Sequence, residues 1–253
     1  MNRTRLRQLL PPALGLGGLV IGWWLLARQT PDSILPGPGS VTARLAETLT
    51  EATIWKDTGF TLINVMASFL IALGGGTLLG LWIASSERIE RLLHPLVLII
   101  ETAPTIAWLV LAILWLGLGA GPPILVGASM ALPLVVIATS HGLRQIDAGW
   151  MDMAHVYGLS AWTRMTRILI PSLALTLSGA ASGALSVAWR GIIMAEAFSA
   201  SHGLGPSLWG SYLYGEIRDV YAVILWIIVL GLAMEYLLVH PARQFIRRRL
   251  QHE

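Results

Sequence analysis

Long apolar runs alternate with short polar, arginine-bearing segments along the whole chain. A helix that crosses a membrane needs about 20 mostly apolar residues. Six segments approach that pattern: 11–27, 60–84, 92–117, 122–140, 172–199 and 220–240. The pattern predicts an all-α, polytopic membrane protein with about six transmembrane helices, organised as one membrane domain over residues 1–253. Pro122, Pro123 and Pro133 interrupt the fourth segment. Proline is tolerated there when neighbouring helices satisfy the freed backbone groups. The first segment reads as a retained helix. Arg28-Gln29-Thr30-Pro31 follows it, where a cleaved signal would show small residues.

Composition strengthens this reading. Hydrophobic residues make up 55% of the chain and charged residues only 12%, against about 25% charged in ordinary soluble domains. The net charge of +3 is small and its basic residues are clustered, unlike the basic stripe of a nucleic-acid protein. No cysteine is present, so disulfides and thiolate metal sites are excluded. Threading the chain through six spans puts Arg3, Arg5, Arg7, Arg88, Arg91, Arg144, Arg164, Arg167, Arg243, Arg247, Arg248 and Arg249 on one side. Arg28, Arg44, Lys56 and Arg218 fall on the other, and Arg190 inside a span. Positive loops stay inside, so both termini and the 141–171 loop are expected in the cytoplasm.

Several features need only packing to explain them. Trp23, Trp24, Trp82, Trp115 and Trp209 fall near span ends, where tryptophan anchors to the interface. Small residues recur every fourth position at Gly18 and Gly22, at Ala72-Gly76-Gly80, and at Gly179-Gly183 beside Ala180-Ala184-Ala188. Such faces let helices approach closely, within one chain or across a dimer seam. In the first outer loop, Pro36-Gly37-Pro38-Gly39 is a stiff turn and Ser40 a candidate cap. Val41, Leu45, Leu49, Ala52 and Trp55 then recur at helical spacing, predicting a helix that lies in the outer interface or, alternatively, an amphipathic helix packed on loops.

The 141–171 segment is too polar to span, with Arg144, Asp147, Asp152, Arg164 and Arg167. It is too patterned for a linker. Met151, Ala154 and Tyr157 fall on one helical face, Gly158 permits a sharp turn, and Ser160 can cap a second short helix over 161–169. Pro171 then starts the next span, where a missing N–H costs little. Two short helices around a glycine suit a groove on a partner, although an unpartnered interfacial pair has the same pattern.

The run Asp152-Met153-Ala154-x3-Gly158-x9-Ile168-x-Ile170-Pro171 resembles the cytoplasmic coupling (EAA) loop of ABC importer permeases. Leu35-Pro36-Gly37-Pro38, Pro104 followed by Leu114-Trp115-Leu116-Gly117, and Trp189 with Ala195-Glu196 and Gly203-Leu204-Gly205 resemble, in order, segments of the nitrate/sulfonate/taurine-type branch. The chain departs at Asp152 and Met153, where the family usually has Glu and Ala, at Ile170 for Leu, and at Pro122-Pro123, where a polar or basic residue is common. The resemblance implies a type I ABC importer permease fold in a bacterial inner membrane. It implies coupling to an ATPase through Asp152, Met153, Ala154, Tyr157, Gly158, Ile168 and Pro171. The implied partners are two cytoplasmic ATPase subunits, a second copy of this chain, an extracytoplasmic solute-binding protein and membrane lipid. The chain itself would bind no cofactor; ATP and Mg would sit on the ATPase.

Ionisable residues inside spans are functional suspects. Glu101, Arg190 and Glu196 are candidates for a solute pathway, Arg190 through charge-assisted bonds to an anion. An Arg190–Glu101 ion pair is the structural alternative, and solvation near the outer surface the simpler account of Glu196. Gly203, Leu204 and Gly205 are expected to face outside, as an outer gate or a docking loop for a binding protein. The six histidines show no metal-ligand spacing, and neither a nucleophile elbow nor a phosphate-binding loop is present. The competing function is a self-sufficient ion-coupled carrier or channel, which would have no use for the 152–171 loop.

Overall fold

The computed structural model describes residues 3–146, 148–239 and 241, with the side chains at 3–13, 148, 151, 155, 161, 175, 238 and 239 left aside. Asp147 and the arginines at 243 and 247–249 lie outside the described residues. Among the described residues eleven α-helices follow one another: α1 (Arg3–Ala27), α2 (Pro38–Thr48), α3 (Ala52–Ala84), α4 (Glu87–Thr102), α5 (Thr105–Leu116), α6 (Gly121–Arg144), α7 (Ala148–Val156), α8 (Ala161–Arg164), α9 (Ile170–Ser199), α10 (Leu204–Leu213) and α11 (Ile217–Met234). Among the described residues α3, α6 and α11, with its continuation to Leu237, are each long and apolar enough to cross a membrane. The bent pairs α4–α5 and α8–α9 raise the total to five. The first expected span falls on α1, whose described apolar stretch, Leu14–Ala27, is shorter than a crossing helix requires.

α6 is the centre of the packing, with α3 on one side and α9 on the other. Ser68, Gly76 and Gly80 of α3 lie against Ile124, Val135 and Thr139 of α6, so these two helices run parallel. Gly127 and Gly142 of α6 meet Ile192 and Thr176 of α9, so α9 runs antiparallel to both. Lipid supplies no hydrophobic drive for helices to associate, and close backbone contact must do more of that work. The Ala72-Gly76-Gly80 face does this within the chain: a Cβ at Gly80 would lie 2.5 Å from the Thr139 Cβ. Gly183 likewise faces Leu134, and Ala184 and Ala188 are buried. Gly18 and Gly22 of α1 face open space. Large apolar side chains such as Leu14, Ile63, Leu78 and Leu114 are exposed around the bundle, as a lipid-facing surface requires.

Two expectations need correction. The third span is not one helix: α4 and α5 meet at 97°. Pro104 supplies no N–H and disfavours helical geometry before it, so Ala103 is extended (φ −65°, ψ 131°) and α4 ends. The outer helix is shorter than its periodicity suggested. α2 stops at Thr48, and Ala52 and Trp55 belong instead to the outer end of α3. At 33 residues, α3 is about 50 Å long, well beyond a hydrocarbon core of about 30 Å. α2 is held to the start of α11 by Arg44, whose Nε donates to Asp219 at 2.6 Å. That bond and the one to Glu47 raise the guanidinium pKa further, so Arg44 stays charged.

The α3–α6 contact yields a direct expectation. Gly80→Ala should lower stability in detergent by about 1–3 kcal/mol, read as an earlier midpoint of thermal denaturation. Gly18→Ala, which meets nothing within 4 Å, should leave the midpoint unchanged; equal midpoints for both variants would contradict this packing.

Candidate functional site

The 141–171 segment is a helix–turn–helix element, as its pattern suggested. α7 ends at Val156, and Gly158 adopts φ +62°. The Leu159 N–H reaches back to the Ala154 carbonyl at 2.9 Å, while the Tyr157 N–H bonds Met153 at 3.0 Å. A glycine in the left-handed region with such a return bond closes the helix as a Schellman-type cap. Ser160 caps the second helix: its Oγ accepts from the Thr163 N–H at 3.2 Å. α8 then widens into a π turn over Met165–Leu169, in which the Ile170 N–H bonds the Met165 carbonyl. Pro171 follows as the second residue of α9, so it lies inside a helix already begun rather than starting one.

Side chains on this element divide sharply. Ala154 is fully buried, whereas Val156, Tyr157 and Trp162 are 82%, 76% and 74% exposed. The shared face expected for Ala154 and Tyr157 is therefore absent, because α7 ends before Tyr157; the Met151 side chain lies outside the described ones. Asp152 and Met153 are exposed. Ile168 lines a cavity of about 470 Å³ with Trp150, Arg167 and Thr176.

The intramembrane charges separate into two kinds. Glu101 ends α4 and is exposed; Arg190 is exposed on α9, and the two form no ion pair. The Arg190 Nε donates to the Ser186 carbonyl at 3.2 Å. Among the described residues its terminal nitrogens have no partner. Arg190 borders a cavity of about 590 Å³ between α9 and α11, which Ser182, Ser186 and Glu235 also line. Ser182 donates to Glu235 there.

Glu196 is different, and neither solvation nor a place on an open path describes it. It is 0% exposed and accepts from the Thr61 hydroxyl at 2.7 Å and the Asn64 amide at 2.8 Å. Gly203, Leu204 and Gly205, expected as an exposed outer loop, are buried at the start of α10. Their N–H groups donate to Asp57 (3.1 Å), Thr61 (2.9 Å) and Glu196 (3.4 Å). The Ser207 hydroxyl also donates to Asp57, at 2.6 Å. The first N–H groups of a helix have no partner within it, and in α10 they are capped by α3 and α9. Asp57, Thr61 and Asn64 recur at helical spacing in an otherwise apolar segment; that polar stripe was the available signal for this cluster.

Residues 76–250 match the family described as the binding-protein-dependent transport system inner membrane component. A probable ABC transporter permease of Brucella melitensis is 29% identical over 91% of this chain and 92% of its own. A putative aliphatic sulfonates transport permease of Bacillus subtilis is 24% identical, over 87% and 80%. An inward-facing crystal form of the MetNI methionine ABC transporter shares the fold. Its TM-score is 0.59 at 20% identity, covering 78% of this chain and 94% of that one. The chain belongs to this family of inner membrane transport components and is a permease subunit of an ABC importer, not an enzyme.

The Schellman-type turn carries its own test. Gly158→Val places a branched side chain where φ is +62°, at a cost of about 1–2 kcal/mol. Limited proteolysis of the purified permease should then cut the 148–169 segment faster. Gly158→Asn, which tolerates this conformation better, should be cut at near the parental rate. Equal rates for Val and Gly would show that the left-handed turn does not hold the element together.

Proposed function

We propose that this permease imports a small anionic solute of the sulfonate, nitrate or taurine kind, with α7, Gly158 and α8 as its ATPase-coupling element. The observation that carries the coupling role is the trio Val156, Tyr157 and Trp162. These are large side chains left almost bare on a polar, extramembrane loop. An exposed apolar cluster of this sort marks an interaction surface. Asp152 beside it adds a charge, and the Schellman-type turn fixes the angle at which the cluster is presented. A self-sufficient carrier would have no need of such a surface.

In this reading two copies of the chain face each other across the solute path. Two ATPase subunits dock on the 141–171 loops, a binding protein delivers solute from outside, and both termini are cytoplasmic. ATP and Mg act on the partner subunits. ATP binding draws the ATPases together and favours the outward-open arrangement, a population shift driven by unequal affinity for two states. The anionic preference rests on Arg190. A guanidinium with free terminal nitrogens is costly against lipid, so its exposed face belongs to a polar path or to the facing copy. The relatives named for aliphatic sulfonates agree with a solute that such a group would hold.

Replacing residues 152–158 by a Gly/Ser linker should abolish co-purification of the ATPase subunit while leaving membrane insertion intact; an ATPase retained in full would overturn the coupling role. Arg190→Gln should lower uptake of an alkanesulfonate by the complete transporter roughly ten- to a hundredfold, the range for losing a charge-assisted hydrogen bond. Unchanged uptake would remove Arg190 from the solute path.

A further inference from the structure

The cap on α10 joins two consecutive helices, α9 and α10, to α3, which lies more than 130 residues earlier in the chain. Residues 57–64 of α3, Glu196 of α9 and residues 203–207 of α10 meet in one buried polar cluster. A continuous relay runs through it. The Leu204 N–H donates to Thr61, and the Thr61 hydroxyl donates to the same Glu196 oxygen that faces the Gly205 N–H. The joint has no slack. A Cβ on Gly205 would lie 2.5 Å from the Ile193 carbonyl, and one on Gly203, at φ +124°, 2.5 Å from the Glu196 carboxylate. In a low-dielectric interior every one of these groups would be expensive to leave unpaired.

We infer that Glu196, with Asp57 and Thr61, is a clamp that makes α3, the outer part of α9 and α10 one rigid body, so that α10 moves with α9 rather than as an independent flap. The inference rests on the coupling reading for what sets the body in motion. α9 runs from the π turn of the coupling element to Glu196, with a 44° bend near residue 175. From Thr176 outward it packs against α6 and then enters the clamp. Motion of the loop therefore reaches α10 through its contact with α9, where Gly205 packs on the α9 backbone and Trp209 on Phe198, and where Glu196 and its partners supply the hydrogen bonds. In this role Glu196, Asp57 and Thr61 are positioning residues.

The chain has no cysteine, so introduced cysteine pairs are the sole labelling sites on the permease, which takes its spin labels before it is assembled with the ATPase. Labels at Leu78 of α3 and Leu213 of α10, both exposed, read the clamp. Labels at Leu78 and at Met165, which is exposed on the π turn, read the coupling element. The Leu78–Leu213 distance should be narrow and unchanged between nucleotide-free and ATP-vanadate-trapped transporter. Glu196→Ala should broaden it, and so should Thr61→Val, which carries the test if the first variant fails to fold. Glu196→Gln should restore it: the amide oxygen can still accept from Thr61 and Gly205, and Asn64 can turn its own oxygen toward the new NH2. A parental distribution in both Glu196→Ala and Thr61→Val would overturn the clamp. So would a Leu78–Leu213 distance that shifts with nucleotide in the parental protein. A Leu78–Met165 distance that ignores nucleotide would instead count against the coupling reading, while the variant comparison still judges the clamp.

Discussion

The start of α10 lies inside the protein, and its first N–H groups have no water to turn to. An unpaired backbone group in a membrane interior costs several kcal/mol, so α10 can begin there only if other helices provide acceptors. Asp57, Thr61 and Glu196 provide them. This requirement accounts for buried carboxylates in helices otherwise built from apolar residues. It also accounts for the glycines at 203 and 205, because the Glu196 carboxylate leaves no room for a Cβ at 203 and the α9 backbone at Ile193 and Ala197 leaves none at 205. The outer ends of α3 and α9 are consequently fixed relative to each other before any further contact is considered.

Below that cap the bundle is held by close approach. α6 lies between α3 and α9, and glycine and alanine faces bring the backbones together where a larger side chain would hold them apart. The same helix carries Pro122, Pro123 and Pro133, all buried. Pro122 and Pro123 sit in the first turn, where missing N–H groups are of no consequence. The elements outside this core are attached differently. α1 meets the rest through Trp23, which donates to the Pro36 carbonyl and stacks with Tyr221. α2 is attached through Arg44 and through the buried Val41.

The 148–169 element follows a third logic. Its helices are short and its backbone ends are capped by their own neighbours, Gly158 closing α7 and Ser160 opening α8. Ala154 is buried, while Tyr157 and Trp162 remain uncovered. That contrast is what the proposed docking role rests on.

By itself the sequence determined whatever depends on composition and local geometry. Apolar runs set the spans, the arginine distribution set the expected orientation, and Gly158 and Ser160 marked the turn and cap because φ/ψ preference and capping act within a few residues. Pro104 carried the break between α4 and α5 in plain view. A hydropathy window averages over that break, however, and so read one span. What only the tertiary structure decided is which polar residues meet. Glu196 lies 132 residues or more from Asn64 and Thr61 in the chain. A lone carboxylate near a span end looks the same whether it is solvated, lines a path or caps a distant helix. Arg190 and Glu101 looked equally ready to pair, yet α4 and α9 leave both exposed and apart. Interactions of that kind depend on the relative placement of whole helices, and no local pattern encodes it.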